Sequence, residues 1–163
     1  MERGRPEARQ PFEKGQGVNL LEQIGHSVFI DTAPIIYYIE AHPQYGPIVK
    51  DLFHSIQTGK VAAFSSVITL TEVLPKPVEA GDERLARTFL EFLKFGKNVS
   101  LLEISEGIAE RAGRLRGKYP RLKTIDAVQI AAAIDVEADA FLTNDKNLRR
   151  IKEAKVVILE DYL

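Results

Sequence analysis

Cysteine is absent from the 163 residues, and histidine occurs three times, at His26, His42 and His54. Without cysteine there are no disulfides, no zinc-finger sites and no thiol nucleophile. The histidines show no ligand spacing, which suits surface or loop roles. No apolar run approaches the length of a membrane span, and the polar, Arg-rich start does not resemble a secretory signal. A cytoplasmic location without membrane contact is the expectation. An excess of charge is lacking as well. Formal net charge is −1, so any polyanionic partner would have to be met by a local basic patch.

What is present suits a globular protein. Apolar residues make up 45% and charged residues 28%, and the length fits one domain with a full core. Residues 1–25 are rich in Arg, Glu, Gly, Gln and Pro, with Val18, Leu20, Leu21 and Ile24 to bury toward their end. They read as a loosely ordered extension whose end could form a short helix. The folded unit is then 26–163.

The run Val28 to Ile30 is apolar at every position and ends on Asp31, with Pro34 placed for the first turn of a helix carrying Ile35, Ile36 and Ile39. Strand, acidic corner and helix follow in that order. A fully apolar strand points to burial on both faces, as in a parallel sheet. A helix through Ile48, Leu52, Phe53 and Ile56 precedes a strand at Val61 to Ser65. Ser66 to Leu74 forms a short helix broken by Pro75-Lys76-Pro77. Residues 82–95 form an amphipathic helix with Leu85, Phe89, Phe92 and Leu93 on one stripe, widened by Leu90 and Phe95. That width suits a core and also a homodimer surface. A strand at Asn98 to Ile104 leads to a helix carrying Ile108, Ala112 and Leu115. The Ala-rich helix Thr124 to Ile134 follows, then the apolar strand beginning Ala140-Phe141-Leu142-Thr143. A short helix from Lys146 to Ile151 and a strand from Val156 to Leu159 close the chain. The alternation gives an α/β class: one doubly wound domain, a mainly parallel central sheet flanked by helices in three layers, α/β/α.

Four acids stand out. Taken singly, Asp31 and Asp145 read as helix caps, Glu72 as part of a solvated face, and Asp126 as an answer to the helix macrodipole. Taken together, the topology sends them to one place. Asp31 and Asp145 lie just past apolar strands, at the carboxyl ends where ligands bind in such sheets. Glu72 follows the second strand closely, with Thr69 one turn earlier on the same face. Asp126 begins a helix and reaches the same rim if that helix runs antiparallel to the strands. Four adjacent carboxylates repel unless a cation joins them. Oxygen-only ligation points to Mg²⁺ or Mn²⁺, ions whose recurrent work is the cleavage or transfer of phosphate esters.

The motifs Ile30-Asp31-Thr32, Ser66 to Glu72, Thr124-Ile125-Asp126-Ala127 and Leu142-Thr143-Asn144-Asp145, in this order and at these separations, are similar to those of the PIN-domain ribonucleases. The chain especially resembles the VapC-like toxins of bacterial and archaeal toxin–antitoxin pairs, over roughly residues 27 to 160. The resemblance implies a metal site of Asp31, Glu72, Asp126 and Asp145, with Thr143 and Asn144 as supporting polar groups beside Thr69. It implies metal-assisted endonucleolytic hydrolysis of RNA, a dimer, and inhibition by a cognate antitoxin. One departure is Ala33-Pro34 where the family often has Asn after the Asp-Thr pair.

Captured RNA would need cations beside an acidic pocket. Arg116, Lys118, Arg121 and Lys123 lead up to Asp126, and Lys146, Arg149 and Arg150 follow Asp145. Two other readings compete. One is a non-catalytic PIN-like RNA-binding or scaffold protein. The other is a magnesium-dependent phosphatase on an α/β scaffold, which would place a second Asp where this chain has Ala33.

Overall fold

The unbroken apolar runs become the centre of a sheet. In the computed structural model, which describes residues 19–163, the strands are β1 (Ser27–Ile30), β2 (Ala62–Ser66), β3 (Val99–Leu102), β4 (Ala140–Thr143) and β5 (Val156–Ile158). Their order is β3-β2-β1-β4-β5, and every neighbouring pair is parallel. Strand β4 is buried at all four positions and β1 at its last three, as expected for strands covered on both faces.

Alternation along the strands divides two cores. Val28, Ile30, Ala140 and Leu142 face one side, packed by α1 (Leu20–Ile24), α2 (Thr32–Ile39), α3 (Gly46–Gln57) and α6 (Glu83–Phe95). Phe29 and Phe141 face the other, under α7 (Glu106–Lys118) and α8 (Thr124–Asp135). These two phenylalanines are in register and stack with centroids 5.6 Å apart. Helix α8 buries Ala127, Ile130, Ala131, Ala132 and Ala133; its small side chains let it lie between the sheet and α7. The result is the three-layer α/β/α arrangement.

Three details differ from the reading of the sequence. Of the extension assigned to residues 1–25, residues 1–18 lie outside the described part. Residues 20–24 form α1, the short helix expected at the end of the extension, capped by the Asn19 side chain, but Leu20 and Ile24 are buried in the first core. The packed unit therefore takes in residues ahead of 26. Pro75-Lys76-Pro77 does not end helical structure either. It starts α5 (Pro75–Glu79) directly after α4 (Val67–Val73). A proline in the first turn has no N–H to leave unpaired, so Pro75 breaks one helix and opens the next. Finally, the phenylalanines of α6 divide. Phe89 is 1% exposed, and Phe92 packs edge-on against Phe53 with centroids 5.4 Å apart. Phe95 is 81% exposed, so it alone of the three remains free to form an intermolecular surface.

Candidate active site at the carboxyl edge of the sheet

The strand order reverses between β1 and β4, because the chain winds outward through β2 and β3 before returning to β4 beside β1. Such a reversal opens a crevice at the carboxyl ends of the two strands. Asp31 is the first residue past β1, and its N–H donates to the carbonyl of Leu142 on β4 at 2.9 Å. The Thr143 hydroxyl donates to Asp31 Oδ2 at 2.8 Å and accepts the Asp145 N–H at 3.1 Å. One hydroxyl thus ties together the ends of both central strands. Asp31 Oδ1 accepts the Thr32 N–H at 2.9 Å, which makes Asp31 the cap of α2. The capping explanation is true of this residue and leaves its carboxylate at the edge of the sheet.

Glu72 reaches the same edge from α4. Its Oε2 accepts a hydrogen bond from the Thr32 hydroxyl. Thr32 thereby bridges the Asp31 corner to Glu72, a role not singled out from sequence, where a threonine after a capping acid looks ordinary. Asp145 Oδ1 accepts the Asn147 N–H at 2.9 Å and caps the 3₁₀ turn Lys146–Arg150.

Asp126 lies in the first turn of α8, where the macrodipole alone would favour its ionised form. Its carboxyl is instead pushed up to about 6, first by burial, then by the charges of Asp31 and Asp145, with Glu72 adding to them and Lys123 opposing. The Asp31 carboxyl is raised mainly by burial, against the hydrogen bonds from Thr143 and Thr32, with Glu72 and Asp145 pushing the same way. The four acids named from sequence therefore lie within reach of one another's charge, with Asp126 and Asp145 lining one cleft and Glu72 another.

A buried polar chain supports this edge from beneath. Ser66 donates to Gln129 Oε1, and Gln129 Nε2 donates to Thr69 Oγ1 at 2.8 Å. Thr69 and Ser65 hydroxyls meet at 2.9 Å, and Ser65 reaches the carbonyl of Ile30 at 3.4 Å. Because the last hydroxyl donates to a carbonyl, the proton direction is fixed throughout: Ser66 to Gln129 to Thr69 to Ser65 to Ile30. All four side chains are buried. Thr69 thus positions α4 and the residue before Asp31 rather than lining the pocket. Gln129 was missed in the sequence; the available signal was a lone amide, one turn after Asp126, in an otherwise apolar helix. Asn144 is also an anchor, donating to the Tyr37 hydroxyl at 3.3 Å and accepting the Glu160 N–H at 3.0 Å.

The cations named from sequence separate into two groups. Lys118 pairs with Glu153 at 2.5 Å, Lys146 with Glu160 at 2.8 Å, and Arg149 with Asp161 at 2.9 Å. Arg116 donates to the Leu122 carbonyl at 3.4 Å. Arg121 and Lys123 instead line a cleft of about 330 Å³ with Asp126, Asp145 and Arg150.

The donor chemistry fits a hard divalent cation. The carboxylates of Asp31, Glu72, Asp126 and Asp145 offer oxygen alone, and their repulsion, which adds to burial in raising Asp31 and Asp126, is what a doubly charged ion would relieve. As placed, no three acidic or imidazole side chains among the described residues close into a metal cage. An ion here would be held by at most two of these side chains at once and would keep most of its water shell, as Mg²⁺ commonly does.

Comparison with known proteins agrees with the fold. The family model described as PIN domain matches residues 28–154. Among solved structures, the chain is similar to VapBC2 of Rickettsia felis bound to a DNA fragment from its promoter, with 18% identity and a TM-score of 0.63 over 81% of this chain and 98% of that one. A toxin–antitoxin complex from Klebsiella pneumoniae is 24% identical, with a TM-score of 0.59 over 81% and 97% of the two chains. The Mycobacterium tuberculosis toxin VapC20, which cleaves the sarcin-ricin loop, is 16% identical, with a TM-score of 0.60 over 78% and 98%. No curated protein matched the sequence.

Proposed function

The chain belongs to the PIN-domain family, and from that premise we propose that it is a divalent-metal-dependent endoribonuclease of the toxin type, using Mg²⁺ or Mn²⁺. The observation that carries this reading is the gathering of Asp31, Glu72, Asp126 and Asp145 at one edge of the sheet, close enough for three of them to raise the pKa of the fourth. When bound there, a divalent ion supplies Lewis acidity toward the phosphodiester and lowers the pKa of water. The residues of the chain hold the geometry for it. Thr143 and Thr32 fix the Asp31 carboxylate, and Thr32 fixes Glu72. Asp126 would take part as a further carboxylate of the site, its charge set against those of Asp31 and Asp145 until an ion is bound. Water adds to phosphorus while the bond to the 3′-oxygen breaks, and the departing oxygen takes up a proton. No protein nucleophile is needed, and the chain has no cysteine to supply one.

The partners proposed are an RNA substrate, an antitoxin protein and a second copy of the chain. The structural neighbours that are toxin–antitoxin complexes support the antitoxin, and exposed Phe95 supports the homodimer. Among the described residues no helix is long and apolar enough to cross a membrane, in keeping with a cytoplasmic site of action. The deciding experiment measures cleavage of single-stranded RNA with EDTA, Mg²⁺ or Mn²⁺. Cleavage should require the metal and fall at least about a hundredfold in Asp31→Asn, the scale expected when a group supporting transition-state charge is lost. A variant cleaving at the wild-type rate would defeat the proposal.

A further inference from the structure

Clustering of cations in the sequence does not say which are available to a ligand; their pairing in the fold does. Arg114, Lys118, Lys146 and Arg149 each hold a carboxylate partner. Arg121, Lys123 and Arg150 form no ion pair among the described residues, and all three line the cleft beside Asp126 and Asp145. Arg150 is also held in place. Its Nε donates to the Asn147 carbonyl at 3.2 Å, and its guanidinium lies 5.9 Å from the centroid of the Tyr119 ring. Tyr119 in turn is fixed by Glu153, which accepts its hydroxyl at 2.9 Å. With Nε occupied, the two terminal nitrogens of Arg150 remain as donors, the fork that suits phosphate.

We propose that this cleft is a subsite for the phosphate next to the one being cut, held by Arg121, Lys123 and Arg150. The proposal rests on the nuclease reading above and deepens it by naming how the substrate is gripped. Unpaired cations beside the reacting acids suit a ligand whose next negative charge lies a short, fixed distance along the same molecule. A polynucleotide backbone meets that condition. The size of the cleft, about 330 Å³, is that of a small-ligand site and suits one nucleotide of an unpaired strand. Its walls include Leu122 and Leu148, which offer apolar surface to a ribose or base.

The test uses the full chain and a fluorescent single-stranded RNA oligonucleotide, with binding followed by anisotropy over a series of KCl concentrations in EDTA, where metal-dependent cleavage is off. Arg150→Gln and Arg121→Gln should each weaken binding about fivefold to tenfold, the scale of one ordinary net hydrogen bond in an open cleft. Each should also flatten the plot of log affinity against log salt by about 0.7, the share of one phosphate contact on a single strand. Arg150→Lys should restore the slope while recovering only part of the affinity, because it keeps the charge but not the fork. Lys118→Gln and Arg149→Gln, which remove paired surface cations, should stay within about twofold of wild type.

Equal losses in all four Gln variants would overturn the subsite in favour of a diffuse field. So would wild-type binding by Arg150→Gln and Arg121→Gln, or no oligonucleotide binding by the wild type. If Arg150→Gln proves unstable on heating, Arg121→Gln decides the matter alone. Metal-dependent cleavage is scored separately. Cleavage lost in Asp31→Asn, with binding unchanged in the arginine variants, would remove the subsite and leave the nuclease reading intact. Binding lost in the arginine variants, with no cleavage by the wild type, would remove the nuclease reading and leave the phosphate grip.

Discussion

Replacing Asp126 by Asn should make the metal-free protein more stable, although it removes a residue proposed for catalysis. In the unfolded chain this carboxyl titrates near its ordinary value of 3.8, and in the folded protein near 6. The folded state therefore holds the proton more tightly, and ionisation of Asp126 destabilises it. The penalty is absent below pH 3.8, grows as pH rises toward 6, and is complete above. Unscreened, the difference corresponds to about 3 kcal/mol; for a half-buried group, solvent screening leaves about 1–2 kcal/mol. Asn carries no such penalty at any pH. At pH 7.5 in EDTA, Asp126→Asn should melt several degrees higher than wild type, at roughly 2–4 °C per kcal/mol for a chain of this size. The advantage should shrink as pH is lowered from 6 and vanish near 4. Millimolar Mn²⁺ should reverse the ranking, since an ion bound only by the folded state adds about 2.7 kcal/mol at a hundredfold excess over its Kd, and the variant has lost one ligand. Differential scanning calorimetry across pH, with and without Mn²⁺, measures all of this. A variant less stable than wild type at pH 7.5 in EDTA would refute the reasoning and leave Asp126 as a helix-terminal acid serving the macrodipole.

Other perturbations test the supporting structure. Gln129→Leu should lower stability by about 2–4 kcal/mol in urea titration, because it strands the hydroxyl of Ser66 and removes a donor from Thr69 in a buried site. An effect below about 1 kcal/mol would mean that the polar chain is dispensable. Phe95→Ser should leave the melting temperature within about 1–2 °C of wild type, as surface changes usually do, and shift sedimentation at tens of micromolar from dimer toward monomer. An unchanged dimer would place the interface elsewhere on the surface.

The parts of the fold legible in the sequence were those where one physical demand leaves a continuous trace. Burial on both faces required β1 and β4 to be apolar at successive positions, so their ends, and hence Asp31 and Asp145, could be located. Pro75-Lys76-Pro77 was misread because proline carries two opposite meanings, helix breaker and helix opener, and only the path of the chain chooses between them. Thr32 and Gln129 were hidden for another reason. A single polar side chain has no periodicity, and its importance comes from partners far off in sequence, such as Glu72 for Thr32 and Ser66 for Gln129.

The cations mark the same boundary on the side of function. Sequence gives their density, but Lys118 finds Glu153 from 35 residues away, and such pairing removes a charge from the field a ligand meets. Arg150, one of a basic group in the sequence, becomes distinctive only when Tyr119 and Asn147 are seen to hold it facing the cleft. A net charge of −1 is consequently no obstacle to an anionic substrate. Arg114, Lys118, Lys146 and Arg149 are neutralised where they stand, while Arg121, Lys123 and Arg150 stand unpaired among the described residues beside Asp126 and Asp145. On the reading proposed above, acids there would hold a divalent ion against one phosphate, and cations beside them would hold the next. Which phosphodiester enters would then be decided by the strand lying across both, a division of labour that total charge cannot reveal and that the salt dependence of the Arg121 and Arg150 variants can.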